Sequence, residues 1–315
     1  MEFIDQSSKI VLTGGSGFLG SHLLKNKAFH HALAIGRNKP VNHQYFKKVY
    51  FDVDNNLFKI LNDKEVLVHA AARVHVMNDT ALNPLDEFRR VNTAGTLNIA
   101  NQAGIAGVKR FIYISSIKVL GESTKLNQAF KSEDLFNPQD DYSRSKAEAE
   151  EGLKNIGEKY GMEIVIIRPP LIYGKGVKGN FASLQKLARL PIPLPIGLIK
   201  NKRSLVSVEN LVDLIITCLS HQNAKNQTFL VSDDCDMSTP ELFTMLSNAG
   251  GYKAYIFNFP TSILKICFWL FGKLAFYNRL SSSMQINIDY TKSKLEWRPP
   301  FKVKNSLHSC WLPDN

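Results

Sequence analysis

Cysteine is scarce, and the four thiols, Cys218, Cys235, Cys267 and Cys310, stand far apart with no C-x-x-C pair among them. A disulfide-framed domain and a thiolate zinc site are thereby excluded, and reduced thiols are expected. The eight histidines have no H-E-x-x-H or comparable spacing, so no metal is expected. No apolar run reaches the roughly 18 residues that a membrane-spanning helix needs. The most crowded one, 261–277, is interrupted by Lys265 and Lys273 and reads as a buried helix, with a subunit or membrane-surface contact as the alternative. There is no long basic block, zinc-finger spacing or aromatic RNA-binding signature. The net charge of +11 therefore reads as a solvated basic surface with a few arginines aimed at a diphosphate, without a nucleic-acid partner. Internal repeats and low-complexity tracts are absent as well. A strand-like run begins soon after Met1, leaving no room for a secretory leader, and a cytoplasmic location is expected.

What the chain does have is enough apolar residue, 44% of 315, to bury a large core. Apolar strand-like runs at 31–35, 48–51, 65–70, 109–116 and 163–168 alternate with helical patterns, the longest at 84–104 and 142–160. Near-continuous apolar strands alternating with helices predict an α/β fold, a doubly wound parallel sheet of Rossmann type covered on both faces. Beyond Pro169-Pro170 the texture changes to glycines and prolines. We therefore expect a dinucleotide-binding domain over 1–170, with 204–232 packing back on it, and a smaller discontinuous substrate lobe from 171–203 and 233–315.

The first strand-like run breaks into Thr13-Gly14-Gly15-Ser16-Gly17-Phe18-Leu19-Gly20. Gly14 suits a tight turn, Gly17 a close backbone approach to a pyrophosphate, and Gly20 close packing of the new helix on the strand. The helix N-terminus would face the phosphates. Further on, Tyr142-Ser-Arg-Ser-Lys146 opens a helix, and the i, i+4 spacing places phenol and ammonium on one face. A phenol with pKa about 10 is a poor base. A fixed lysine charge beside it would lower that value toward the working pH. Ser115-Ser116 ends a strand on the rim where such sheets bind ligands.

With these motifs in this order the chain resembles the extended short-chain dehydrogenase/reductases, in their nucleotide-sugar branch. Further matching pieces are Asp52-Val53, His69-Ala-Ala-Ala72, Asn92-Thr-Ala-Gly-Thr96, Arg168-Pro-Pro-Leu-Ile-Tyr-Gly174, Arg203-Ser-Leu-Val and Leu295-Glu-Trp297-Arg-Pro-Pro300. The resemblance implies that Ser116 holds the substrate oxygen, that Tyr142 exchanges the proton, and that Lys146 grips the nicotinamide ribose and tunes Tyr142. It places Gly14, Gly17, Phe18, Leu19, Gly20, Asp52, Val53, Ala70, Ala71, Ala72, Asn92 and Pro169 on the cofactor. Arg203, Arg279 and Asn180 are placed on the substrate, and a homodimer is expected.

Two departures narrow the chemistry. Where dehydratases of the family carry an acidic pair after the catalytic hydroxyl residue, this chain has Ile117-Lys118, so water elimination lacks an acid–base pair. At the end of strand two, Gly36-Arg37 stands where NAD-preferring members place an Asp, which suits a 2′-phosphate and favours NADPH over NAD. The stretches 69–79 and 115–124 look like bacterial reductases of UDP-4-keto-6-deoxy-N-acetylhexosamines, enzymes of surface polysaccharide biosynthesis. A UDP-sugar 4-ketoreductase is the first expectation. A UDP-hexose or UDP-N-acetylhexosamine 4-epimerase with retained NAD is the second, and a non-catalytic NADP-sensing protein the third.

Overall fold

Seven short strands form the central sheet: β1 (Ile10–Thr13), β2 (Leu33–Gly36), β3 (Phe46–Lys48), β4 (Val66–His69), β5 (Arg110–Ile114), β6 (Glu163–Arg168) and β7 (Thr228–Leu230). Their spatial order is β7-β6-β5-β4-β1-β2-β3, and every neighbouring pair is parallel. The structure is a computed structural model that describes residues 7–51, 56–74 and 83–312, with Asn180 represented by its backbone.

The strands lack polar alternation because both faces are buried. Leu12, Val68, Ile112, Ile114, Val165 and Ile167 enter one apolar cluster. Their sequence neighbours Val11, Leu67, Phe111, Tyr113, Ile164 and Ile166 enter the other. The period-2 geometry of a strand thus splits each apolar run between two layers of helices. Helix α1 (Phe18–Lys25) follows β1, α2 (Gly95–Ile105) precedes β5, α3 (Asp141–Tyr160) precedes β6, and α4 (Val208–Ser220) leads toward β7. α1 and α4 lie against each other on one face, while α2 and α3 pair on the other.

α3 is the longest helix. It starts on a capping box between Asp140 and Ser143 and stops at Gly161 in the left-handed conformation. Its inward face carries Lys146, Glu150, Leu153 and Gly157, all buried, at helical spacing. Glu150 is fully buried. It accepts from Arg168 of β6, Nη2 to Oε2 at 2.7 Å, and from the Ser115 hydroxyl at 2.5 Å. The helix is thereby fixed against the C-terminal ends of β5 and β6.

A third apolar cluster gathers Tyr173, Phe181, Ile196, Leu246, Leu264 and Leu307, all outside the central sheet. Here the structure corrects the sequence reading of 261–277. That stretch is two helices, α5 (Thr261–Leu270) and α6 (Leu274–Ser281), separated at Gly272, where φ is 66°. Only Leu264 and Tyr277 are buried; Ile263, Ile266, Trp269, Leu270, Phe271 and Phe276 are exposed. A run apolar all round reads as buried, but a single helix layer over this core covers one face only.

Smaller differences have plain causes. The third strand falls on 46–48 and not on 48–51, because Ala34 N bonds to Tyr45 O and sets an edge register that leaves Val49 to cap the layer below. The three-residue β7 and the helices Asn180–Ala188 and Thr239–Ala249 carry too short or too mixed a pattern to stand out in sequence.

Removing one partner of a buried pair leaves a bare charge. Arg168→Met is expected to cost about 3–5 kcal/mol of unfolding free energy in urea, and adding Glu150→Leu should recover most of it. A loss below about 1 kcal/mol in the single variant would remove this pair from its structural role.

Candidate active site

β1 ends at Thr13, and the chain turns through Gly14 at φ 73°, with Gly17 N donating to Gly14 O at 2.9 Å. A Cβ on Gly14 would lie 2.6 Å from Ala71 N, and one on Gly20 would lie 2.7 Å from Gly15 Cα. Both glycines are therefore required by close approach, Gly14 to the 70–71 segment and Gly20 to the turn itself. Gly17 caps α1 without a side-chain bond, and the first turn holds no acidic residue. Ser16 and Gly17 are exposed, Phe18 is half-buried and Leu19 is buried in the core. The free N–H groups and the positive end of the helix meet solvent at the sheet's C-terminal edge, a setting that fits a pyrophosphate. A dinucleotide cofactor would be held here.

His69, at the end of β4, ties this edge together. Its Nδ1 lies 2.9 Å from Thr13 Oγ1 and its Nε2 3.0 Å from Thr96 Oγ1 of α2. Thr13 Oγ1 also accepts from Ala71 N at 3.1 Å. Burial, with a further push from the Lys146 charge, lowers the His69 pKa to about 3, so the ring stays neutral. The ring stacks on Tyr113 of β5 at 5.9 Å between centroids. Ala70, Ala71 and Ala72 follow as half-buried small residues under the glycine turn.

Asn92 is 1% exposed in a π-helical turn, Arg89–Ala94. Its Oδ1 accepts from Arg73 N at 2.8 Å; its Nδ2 donates to Arg73 O and to Ser145 Oγ. It clasps the segment after β4 to α3, directly beside the Tyr142 turn. A π-turn is a common mark of a functional bend.

Ser116 follows β5 and caps the short turn Ile117–Val119, its Oγ accepting from Lys118 N at 3.3 Å. Ile117 N donates to the buried Pro169 carbonyl at 2.9 Å, which seats Ser116 between β5 and the segment after β6. Tyr142, in the first turn of α3, packs edge-on against Phe88. Its pKa is raised to about 12, by burial first and the Asp140 charge second, with a hydrogen bond from Ser116 opposing. Lys146, one turn below, is 1% exposed. Its Nζ donates to Ile114 O at 2.8 Å and lies 4.5 Å from the Tyr113 ring centroid. Burial lowers its pKa to about 7, while the Glu150 charge pulls the other way.

The sequence places Tyr142 and Lys146 on one face, and they are so placed. The expected depression of the phenol by the ammonium is not found. The ammonium faces the β5 carbonyl, and the cost of desolvating a phenolate exceeds any help from it.

Lys118 occupies the position of the dehydratase acid pair. It bonds Asp140 at 2.7 Å and Glu122 at 3.0 Å. The nearby carboxylates are thus held in ion pairs with this lysine.

Arg203 Nη1 donates to Arg279 O at 2.8 Å and to Ser282 O at 3.2 Å, so the two arginines predicted for the diphosphate are neighbours. Among the described residues no carboxylate pairs with Arg203, and burial lowers its pKa. Arg279 is exposed in the last turn of α6. Asn180 begins the helix Asn180–Ala188, and its side chain lies outside the described residues, as do Asp52 and Val53. Arg37 is exposed immediately after β2. Two residues later Lys39 lines an open cleft together with Gly15 and Ser16 of the glycine turn.

Sequence reasoning had given no role to Glu150, Ser115 or His69, which hold these groups in place. For Glu150 a signal existed in its spacing, four residues after Lys146, on the same helix face.

Residues 10–232 match the model of the NAD dependent epimerase/dehydratase family. A protein of Vibrio cholerae named UDP-glucose 4-epimerase is 47% identical over 299 residues, 92% of this chain and 90% of that protein. The human dTDP-D-glucose 4,6-dehydratase is 25% identical over 98% of this chain and 86% of its own length. Among solved structures, the UDP-glucose 4-epimerase of Thermotoga maritima with UDP-glucose superposes at a TM-score of 0.75, with 19% identity over 96% of this chain and 97% of that one. RMD from Pseudomonas aeruginosa complexed with NADPH superposes at 0.69, with 20% identity over 96% and 98%. The fold, the glycine turn and the family match agree: this chain belongs to the NAD dependent epimerase/dehydratase family, enzymes that act on nucleotide sugars.

Proposed function

We propose that the protein is an NAD(P)-dependent oxidoreductase of carbon 4 in a UDP-sugar, with NADPH reduction of a UDP-4-keto-6-deoxy-N-acetylhexosamine as its reaction. The observation that carries this reading is the Tyr142 phenol beside Ser116, at the sheet edge where the glycine turn would hold a dinucleotide. The bound reduced nicotinamide would supply the hydride. The Ser116 hydroxyl holds the ketone oxygen, and Tyr142 Oη gives its proton to that oxygen as the carbonyl becomes an alcohol. The phenol then regains a proton from solvent. With a pKa near 12 the phenol carries this proton at neutral pH, which suits donation to a ketone. Arg203 and Arg279 hold the diphosphate, and surface polysaccharide biosynthesis is the setting this substrate implies. Ser116, Tyr142 and Lys146 standing intact argue against a purely sensing protein.

NADPH is preferred in this reading because Gly36, not a carboxylate, ends β2, while Arg37 is exposed immediately after it and Lys39 lies near the glycine turn. The Vibrio cholerae relative, by its name, favours a second reading, 4-epimerisation of a UDP-hexose with retained NAD. Incubation of the purified protein with UDP-4-keto-6-deoxy-GlcNAc and NADPH, followed at the nicotinamide absorbance and by NMR of the product, distinguishes the two. Stoichiometric NADPH consumption is expected. Tightly held NAD in the protein as isolated, with UDP-sugars interconverting and no added reductant, would establish the epimerase instead.

Tyr142→Phe is expected to abolish turnover while cofactor affinity, read by fluorescence titration, changes little; full activity would remove Tyr142 from proton transfer. Arg203→Ala should raise the KM for the UDP-sugar roughly tenfold to hundredfold, the worth of charge-assisted hydrogen bonds, and leave the KM for NADPH alone. The reverse pattern would reassign Arg203. Arg37→Ala should erode the preference for NADPH over NADH by about the same factor, and an unchanged ratio of kcat/KM values would show that Arg37 does not meet the phosphate.

A further inference from the structure

The net charge is unevenly placed. Residues 171–208 carry seven Lys and Arg and no Asp or Glu; residues 242–288 carry four and again none. These eleven account for the whole +11, since the other 28 basic residues equal the 28 acidic ones. The two stretches are joined in space. Leu194 pairs with the 255–257 segment through Leu194 N to Tyr255 O at 2.7 Å, and Asn201 bonds the carbonyls of Leu280 and Ser282.

The same region carries a run of exposed apolar side chains. α5 turns Leu264 and Phe268 toward the third cluster. Its outward face shows Ile263, Ile266 and Leu270, with Trp269 at 64% and Phe271 at 79% exposure. Phe276 of α6 is exposed beside it, and Leu190, Ile192 and Phe257 are exposed elsewhere in these two stretches. Lys265 and Lys273 stand within this surface, and among the described residues no carboxylate pairs with either. Exposed Trp, Phe and Leu on short helices, with lysines and no acid in the same stretch of chain, are the composition of a segment that lies in a lipid–water interface.

We propose that α5 and α6 dock this protein peripherally on an anionic lipid surface. Leu270, Phe271 and Trp269 enter the acyl boundary, and Lys265 and Lys273 meet the phosphates of the headgroups. A spanning segment plays no part, since among the described residues no helix is long and apolar enough to cross a membrane. The charge distribution selects this occupant. A second copy would bring the same two basic stretches against this one, and a nucleic acid would leave the apolar face wet. The inference is independent of which UDP-sugar the active site takes.

The test uses the full chain with sedimenting vesicles of phosphatidylcholine, alone or with phosphatidylglycerol as a minority lipid. Binding to the anionic vesicles is expected to exceed binding to the neutral ones by about tenfold or more and to weaken with salt. Trp269 is the most exposed of the three tryptophans, so its emission should shift to the blue on binding, and W269F should lose the shift but keep the binding. W269S/F271S and K265E/K273E should each lower binding roughly tenfold or more. Because these side chains are exposed, circular dichroism and turnover should stay as in the parent. Equal binding to both vesicle types, or none, overturns the proposal. So does concentration-dependent self-association that W269S/F271S abolishes, which would assign the face to a second copy.

Discussion

The arrangement of the candidate catalytic groups depends on one buried carboxylate. Glu150 leaves α3 one turn below Lys146 and takes up Arg168 from β6 and Ser115 from the end of β5. A charge in that position is tolerated only because its partner is equally buried and two donors fill its lone pairs. The gain is positional. α3 cannot slide or rotate against the sheet without breaking the cluster; Lys146 stands one turn and Tyr142 two turns up the helix from Glu150, and Ser116 adjoins Ser115.

Around this anchor, burial sets the proton chemistry. Lys146 is so desolvated that its pKa falls to about 7, and Glu150 is the charge that opposes the fall. His69 is kept neutral by the same burial, with hydroxyls on both ring nitrogens. Tyr142 is pushed the other way, to about 12. The protein alone thus presents a phenol that holds its proton and an amine poised between two states. The positive charge of a bound nicotinamide in its oxidised form would act on that balance, and the reduced form would act less.

Most of the sheet was legible in the sequence because parallel strands buried on both faces are dense apolar runs that few other structures produce. The glycine turn was legible for a steric reason: no other residue fits beside Ala70 and Ala71 at Gly14. What escaped has physical causes too. Phe46–Lys48 is an edge strand with a mostly exposed composition, and β7 is three residues long, so neither carries a period. The lysine's effect on Tyr142 was inferred from spacing along a helix, which fixes which face a residue shares but not where its terminal atoms go. Nζ ends on Ile114 O. Glu150 was overlooked because a charged residue in a helix reads as solvated until its partner, 18 residues away on a strand, is known to face it.

The apolar stretch 261–277 marks the limit of pattern reading most clearly. Hydrophobic residues on every side of a helix signal burial when the helix is surrounded, and α5 is covered on one side only. Leu264 and Phe268 meet the cluster beneath, and the other face is left over. The deciding feature was the absence of Asp and Glu across 171–208 and 242–288, which no window of hydropathy registers. An enzyme whose remaining charges cancel has its entire excess on the part of the chain that also holds Arg203 and Arg279. The proposed diphosphate contact and an anionic surface then both call for basic residues in this region. Different side chains serve the two, Arg203 and Arg279 in the proposed diphosphate contact and Lys265 and Lys273 in the proposed contact with lipid, so one basic region meets two kinds of phosphate without either contact depending on the other.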